Sequence, residues 1–153
     1  MSPFSDTDPK QFIADFYASF HNDLLDGDED PGLIVDRYHT PDIVQITDGH
    51  RMDRDKLIAH TRPVRKNRPS GRWDVHEALV NGDRIAVRST LYVQNRNRAL
   101  AIETHMFAQF TEDGRMRQAH ILTRTLPADA GQVQPTPEAP EASEASEVQE
   151  RPA

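Results

Sequence analysis

Two dipeptides, Asn81-Gly82 and Asp113-Gly114, constrain this chain more than any other feature in it. A tight hairpin needs positive φ at its central residues, and Asn-Gly and Asp-Gly supply that with least strain. Around them lie four β-prone stretches, at about 72–80, 84–94, 99–111 and 115–125, with the polar Asn95–Asn97 loop between the second and third. Three successive antiparallel connections make a meander, so the later part of the domain is expected to be a sheet.

What precedes it reads as helical. Asp8 can cap a helix, Pro9 suits its first position and Gln11 completes a capping box. Phe12, Ile13, Phe16, Tyr17, Phe20 and Leu24 then recur at helical spacing and give one apolar face. The acidic DGDEDPG stops this helix; Asp30 and Pro31 start a short second one, GLIVDRYH, which Pro41 is expected to end. IVQIT is a short β-branched strand closed by the Asp48-Gly49 turn. Asp53 caps a third helix, DRDKLIAHTRPVRK, whose apolar positions are Leu57, Ile58, Thr61 and Val64; Pro63 should kink it or end its regular part. Helices first and a long sheet afterwards is an α+β arrangement.

From Pro127 the chain is proline, alanine, glutamate and serine, too poor in apolar bulk to recover its ordering entropy. The expected organisation is one domain over 1–126 and a disordered acidic tail over 127–153. Six acidic residues after Leu126 against the single Arg151 place −5 of the net charge of −7 in that tail. The near-neutral remainder offers no broad basic field for nucleic acid. The run Arg62, Arg65, Lys66, Arg68, Arg72 reads as a solvated helix end and loop rather than a phosphate patch. The absence of cysteine excludes disulfides, thiolate catalysis and cysteine-ligated metals. No apolar run is long enough to span a bilayer and no signal segment opens the chain, so no membrane partner and a cytoplasmic location are expected. No motif asks for a cofactor or a metal.

The order of FIADFYASF, RYHTPDIVQITDG, NGDRIAVRSTLYV and HMFAQFTEDGRMRQAHI resembles the nuclear transport factor 2-like superfamily over about residues 9–126. That group includes SnoaL-like polyketide cyclases, ketosteroid isomerases and limonene epoxide hydrolases. The resemblance implies a cone-shaped, curved antiparallel sheet packed on three N-terminal helices, a deep apolar pocket and a homodimer through the sheet. Isomerases of the group use a carboxylate late in the first strand, a tyrosine on the first helix and an acid on a late strand. Here those positions hold Thr47, Phe20 and Met106, with Asp48 beside the first and Tyr17 one turn before the second. Threonine is no general base at neutral pH and methionine donates no hydrogen bond, so the isomerase mechanism does not carry over.

Several residues remain as candidates, each with a plainer alternative. Tyr17 can donate its phenol to a ligand carbonyl, or simply be a core aromatic. Thr47, Asp48 and His50 cluster after the first strand, where imidazole and carboxylate form an acid/base unit; Asp48-Gly49 is equally ordinary turn chemistry. Counting back from the Asn81 turn pairs Glu77 with Arg88 and Trp73 with Tyr92, four residues on one face, suited to an arginine–acid site or to a surface ion pair. Ile85, Val87, Leu91 and Val93 alternate with that set, so the inner face of the strand is left open between the two. His105 and His120 share a face but lack a third metal ligand, and read better as interface histidines. The opposite face, carrying Thr104 and Met106, has apolar texture with scattered hydroxyls, as a pocket or a plain core would. The expected function is thus a pocket protein for a small, largely apolar ligand, binding it or isomerising, cyclising or hydrating it. Tyr17, Asp48 and His50 are its candidate catalytic groups; Phe20, Thr47, Trp73, Glu77, Arg88, Tyr92, Thr104 and Met106 are its candidate contacts. The alternative is an association module that works through the outer face of the sheet.

Overall fold

A computed structural model describes residues 2–127. Three helices, α1 Pro9–Leu25, α2 Pro31–Tyr38 and α3 Arg54–Asn67, accompany six strands: β1 His39–Thr47, β2 His50–Met52, β3 Ser70–Asn81, β4 Arg84–Asn95, β5 Arg98–Phe110 and β6 Met116–Thr125. The strands form one sheet in the order β2-β1-β6-β5-β4-β3. The meander β3–β6 is antiparallel throughout, but β1 runs parallel to β6, so the sheet is mixed rather than wholly antiparallel. A parallel neighbour needs a long crossover, here the whole of β2, α3 and the meander, and no turn signal in the sequence marks it.

Local chemistry accounts for the element ends. Asp8 caps α1 by accepting from Gln11 N at 3.2 Å, and Pro9 fills the first turn. The capping box stays half made, because Gln11 Nε2 donates to Asp15 Oδ1 at 2.8 Å instead of reaching back. Asp53 caps α3 through Lys56 N at 3.0 Å, and that helix continues through Pro63 to Asn67. The second helix ends at Tyr38, three residues before Pro41, which lies within β1. Asp48 and Gly49 both have positive φ, at 52° and 85°, and connect Thr47 to His50 in a two-residue hairpin. The tail expected over 127–153 lies, beyond Pro127, outside the described residues.

One register shift decides the inner face of the sheet. Asn81 pairs with Arg84 and Glu77 with Arg88, but an irregularity between Val75 and Glu77 makes His76 an extra residue. Beyond it Trp73 opposes Leu91, and Tyr92 opposes Arg72. A bulge moves every later residue to the other face. The four-residue face of Trp73, Glu77, Arg88 and Tyr92 is therefore not formed. The inward set is instead Val75, Ala78, Ile85, Val87, Met106 and Ile121, all packed in or against the core with Ile13 and Phe16 of α1.

The core is densest beside the first half of α1. Phe4, Phe12, Phe16 and Phe110 meet edge to face, with centroids 5.0 to 5.8 Å apart. Ser2 Oγ donates to the Gly82 carbonyl at 2.6 Å and holds the N-terminal segment over this cluster.

Candidate functional site

The second half of α1 meets a hollow. An inner chamber of about 370 Å³ lies between α1 and the middle of the sheet, and an outer chamber of about 350 Å³ lies between α1, α3 and the starting end of β3. Tyr17, His60, Trp73 and Leu91 border both. The rings of Tyr17 and Trp73 stack at 4.3 Å and 18°.

Tyr17 Oη donates to Met106 Sδ at 3.3 Å, a weak acceptor for a phenol. Burial pushes its pKa far above the ordinary phenol value. It therefore stays protonated at any physiological pH, a donor and never a base. Besides His60 of α3, the inner chamber takes its other polar groups from four strands: Gln45 and Thr47 of β1, Ser89 of β4, Thr104 of β5 and Thr123 of β6. Gln45 Nε2 donates to Thr47 Oγ1 at 3.2 Å. Among the described residues the hydroxyls of Ser89 and Thr104 have no side-chain hydrogen bond. Among the described residues no Asp, Glu, Lys or Arg borders either chamber.

The expected site residues divide accordingly. Tyr17, Trp73, Thr47, Thr104 and Met106 border the inner chamber, and Phe20 borders the outer one. Asp48 and His50 are exposed in the β1–β2 hairpin and border neither. The Asp48 carboxylate is engaged across the parallel pairing, accepting from Thr123 N at 2.8 Å and from Thr123 Oγ1. Those bonds hold its pKa below the usual carboxylate range. Asp48 thus acts on the chamber wall from behind, through Thr123. Glu77 and Arg88 pair at 2.7 Å on the outer face, and Arg72 stacks over the Tyr92 ring at 4.2 Å on the same side. The Arg88 bond lowers the Glu77 pKa. No water held between these groups could reach a ligand inside.

Reading by residue type passed over His60, Gln45 and Ser89. For His60 the signal was present: Leu57, His60, Thr61 and Val64 have the spacing of one helix face, and all four border the outer chamber. Gln45 and Ser89 were legible only as polar residues on alternating strands. His105 and His120 do lie on one face, the outer, and both are exposed. Among the described residues no group of three His, Cys, Asp or Glu is placed to hold a metal, and no helix is long and apolar enough to cross a membrane.

The outer face carries a cross-strand row of Leu79, Ala86, Phe107, His120 and Ile46, with Leu122 in the next row. Leu79, Phe107 and Leu122 are 71%, 70% and 63% exposed.

A sequence profile of the SnoaL-like domain family matches residues 12–119. Several solved structures share the fold at low identity. IdmH from Streptomyces antibioticus, described as a candidate polyketide cyclase, is 16% identical with a TM-score of 0.56, over 75% of this chain and 91% of that one. An M. tuberculosis LEH-like epoxide hydrolase is 14% identical with a TM-score of 0.55, over 74% of this chain and 84% of its own. A candidate isomerase of the SnoaL-like family from Agrobacterium tumefaciens is 12% identical with a TM-score of 0.53, over 76% and 97%. No curated protein matches the sequence significantly.

Proposed function

From the premise that the chain belongs to the SnoaL-like domain family, we propose that it binds a small, uncharged, oxygen-bearing molecule in the inner chamber. The observation that carries this reading is Tyr17: a half-buried, permanently protonated phenol whose hydrogen-bond partner among the described residues is a thioether. A ligand carbonyl or hydroxyl is a far better acceptor than sulfur, so exchanging one for the other favours binding. Thr104, Ser89 and Thr47 supply further polar contacts around an apolar wall of Trp73, Met106 and Ile121. Among the described residues no Lys or Arg borders the chamber to meet a carboxylate ligand, which favours neutral molecules.

If the site is also catalytic, its chemistry is polarisation of a ligand oxygen by Tyr17, with His60 as the group able to move a proton. Asp48 is then a positioning residue that holds Thr123, and His50 has no part in the chamber. Isomerisation, cyclisation and hydration of a carbonyl compound all draw on such polarisation. A cytoplasmic location belongs to the same proposal and is checked by cell fractionation.

Trp73 is the one tryptophan of the chain, so its fluorescence reports directly on the chamber. Cyclohexanone should change that emission saturably, and Tyr17→Phe should weaken its affinity about fivefold, the worth of one hydrogen bond of about 1 kcal/mol. Unchanged affinity in Tyr17→Phe, or no response of Trp73 at all, rejects the reading.

A second reading, association through the sheet, is favoured by the outward Phe107, Leu122 and Leu79. Contiguous exposed apolar side chains of this kind mark interaction surfaces, and a twofold pairing of two copies would cover the same patch on each. Light scattering at micromolar concentration should report a dimer that Phe107→Asp converts to a folded monomer. A monomeric parent protein removes this reading and leaves the chamber untouched.

A further inference from the structure

We propose that the two chambers are halves of one site, and that its ligand is elongated: an oxygen-bearing head in the inner chamber and a hydrocarbon chain in the outer one. This rests on the reading of the inner chamber given above and adds to it the shape and polarity of the ligand.

The argument lies in which polar groups are already engaged. In the outer chamber, His21 Nε2 faces the Pro69 carbonyl at 3.0 Å, Thr61 Oγ1 donates to Ile58 O at 2.6 Å and Ser70 Oγ contacts Gln94 O at 3.5 Å. Each of these groups is turned to the backbone. The rest of that wall includes Phe20, Leu24, Leu57, Val64 and Val93. A polar head seated there would lose water and gain little, which is unfavourable. The inner chamber has the opposite state: Ser89 and Thr104 hold hydroxyls without a side-chain bond among the described residues, and Tyr17 has only sulfur. An amphiphile is therefore oriented head inward.

Tyr17, Trp73, Leu91 and His60 make the neck, since each borders both spaces. Three of the four are apolar or aromatic walls suited to a methylene chain. His60 stands exposed at the rim.

Methyl ketones of increasing length, from hexanone to dodecanone, test this through Trp73 fluorescence. Affinity should rise about fourfold for each methylene that enters the outer chamber, then level off. Gly71→Leu should narrow that chamber and flatten the rise while leaving hexanone affinity within about twofold of the parent. Position 71 tolerates a side chain: it lies on the edge strand β3, and an added Cβ would sit 3.6 Å from Leu91 Cδ1, an ordinary contact. Val64→Trp fills the same space from α3 and serves where Gly71→Leu folds poorly. Affinity that stops rising at the shortest ketones, or a rise that persists in both folded variants, overturns the proposal. Hexanone binding that remains sensitive to Tyr17→Phe in that case leaves the inner-chamber reading standing; loss of hexanone binding altogether removes that reading instead.

Discussion

The two halves of α1 rest on the same sheet and do opposite things. The first half, with Phe12, Ile13 and Phe16, packs in or against the buried core with Phe4, Phe110 and Met116, and of these Ile13 also borders the inner chamber. The second half, with Tyr17, Phe20, His21 and Leu24, faces two chambers of about 370 and 350 Å³. Both halves are aromatic and amphipathic, so composition does not separate them. What differs is the wall opposite. At the solid end Phe110 and Phe4 fill the space with rings; at the hollow end Trp73 and Met106 reach Tyr17, while Ser89, Thr104 and Leu91 between them border open space. Stability is concentrated at one end, which leaves the other free to hold a guest.

The sharpest way to break this comparison is to truncate one ring at each end. Phe110→Ala should cost about 3–5 kcal/mol, the range for a fully buried aromatic that leaves a cavity. Trp73→Ala, beside space that is already empty, should cost about 1–2 kcal/mol. Chemical denaturation of both variants decides it, and equal losses would mean that the two ends do not differ.

His39 sharpens the comparison at the boundary, since its ring meets both Phe16 and Phe20 edge to face. It is 3% exposed, and its Nδ1 faces the Val35 carbonyl at 3.0 Å. Burial lowers its pKa, against smaller raising effects of the Val35 carbonyl and Asp36. The unfolded chain therefore takes up this proton first, at about pH 6.5. Stability is present above that value and is lost as pH falls from it toward the folded pKa. The urea midpoint of the parent should drop across this window, and His39→Gln should flatten that part of the profile. A midpoint that rises on acidification there contradicts the account.

The smallest effect should come from removing residues 128–153, which we propose contribute to neither end. The thermal midpoint should move by no more than about 2 °C. A larger fall would mean that those residues dock on the domain.

Much of this architecture was legible because local chemistry encodes it. Asp8-Pro9 and Asp53 start α1 and α3, and Asp48-Gly49, Gly82 and Gly114 mark three hairpins. What escaped depends on long-range pairing. The parallel contact of β1 with β6 has no turn to announce it, and with it the bond from Asp48 to Thr123 was hidden. Asp48 was readable as turn or as catalyst, and it is a turn residue whose carboxylate reaches across the sheet. The extra residue at His76 carries no signature, yet it separates Trp73 from Glu77 and Arg88 and so decides which of them can meet a ligand. The hollow itself was visible only as texture, because a hydroxyl-studded strand looks alike against a pocket and against a solid core.

Xenon pressurisation of crystals of residues 1–127 tests the hollow most directly. Xenon enters empty apolar cavities and not packed cores. The account requires density on both sides of the Tyr17–Trp73 stack and none beside Phe110. Side chains filling that space, with no xenon near Trp73, would contradict it.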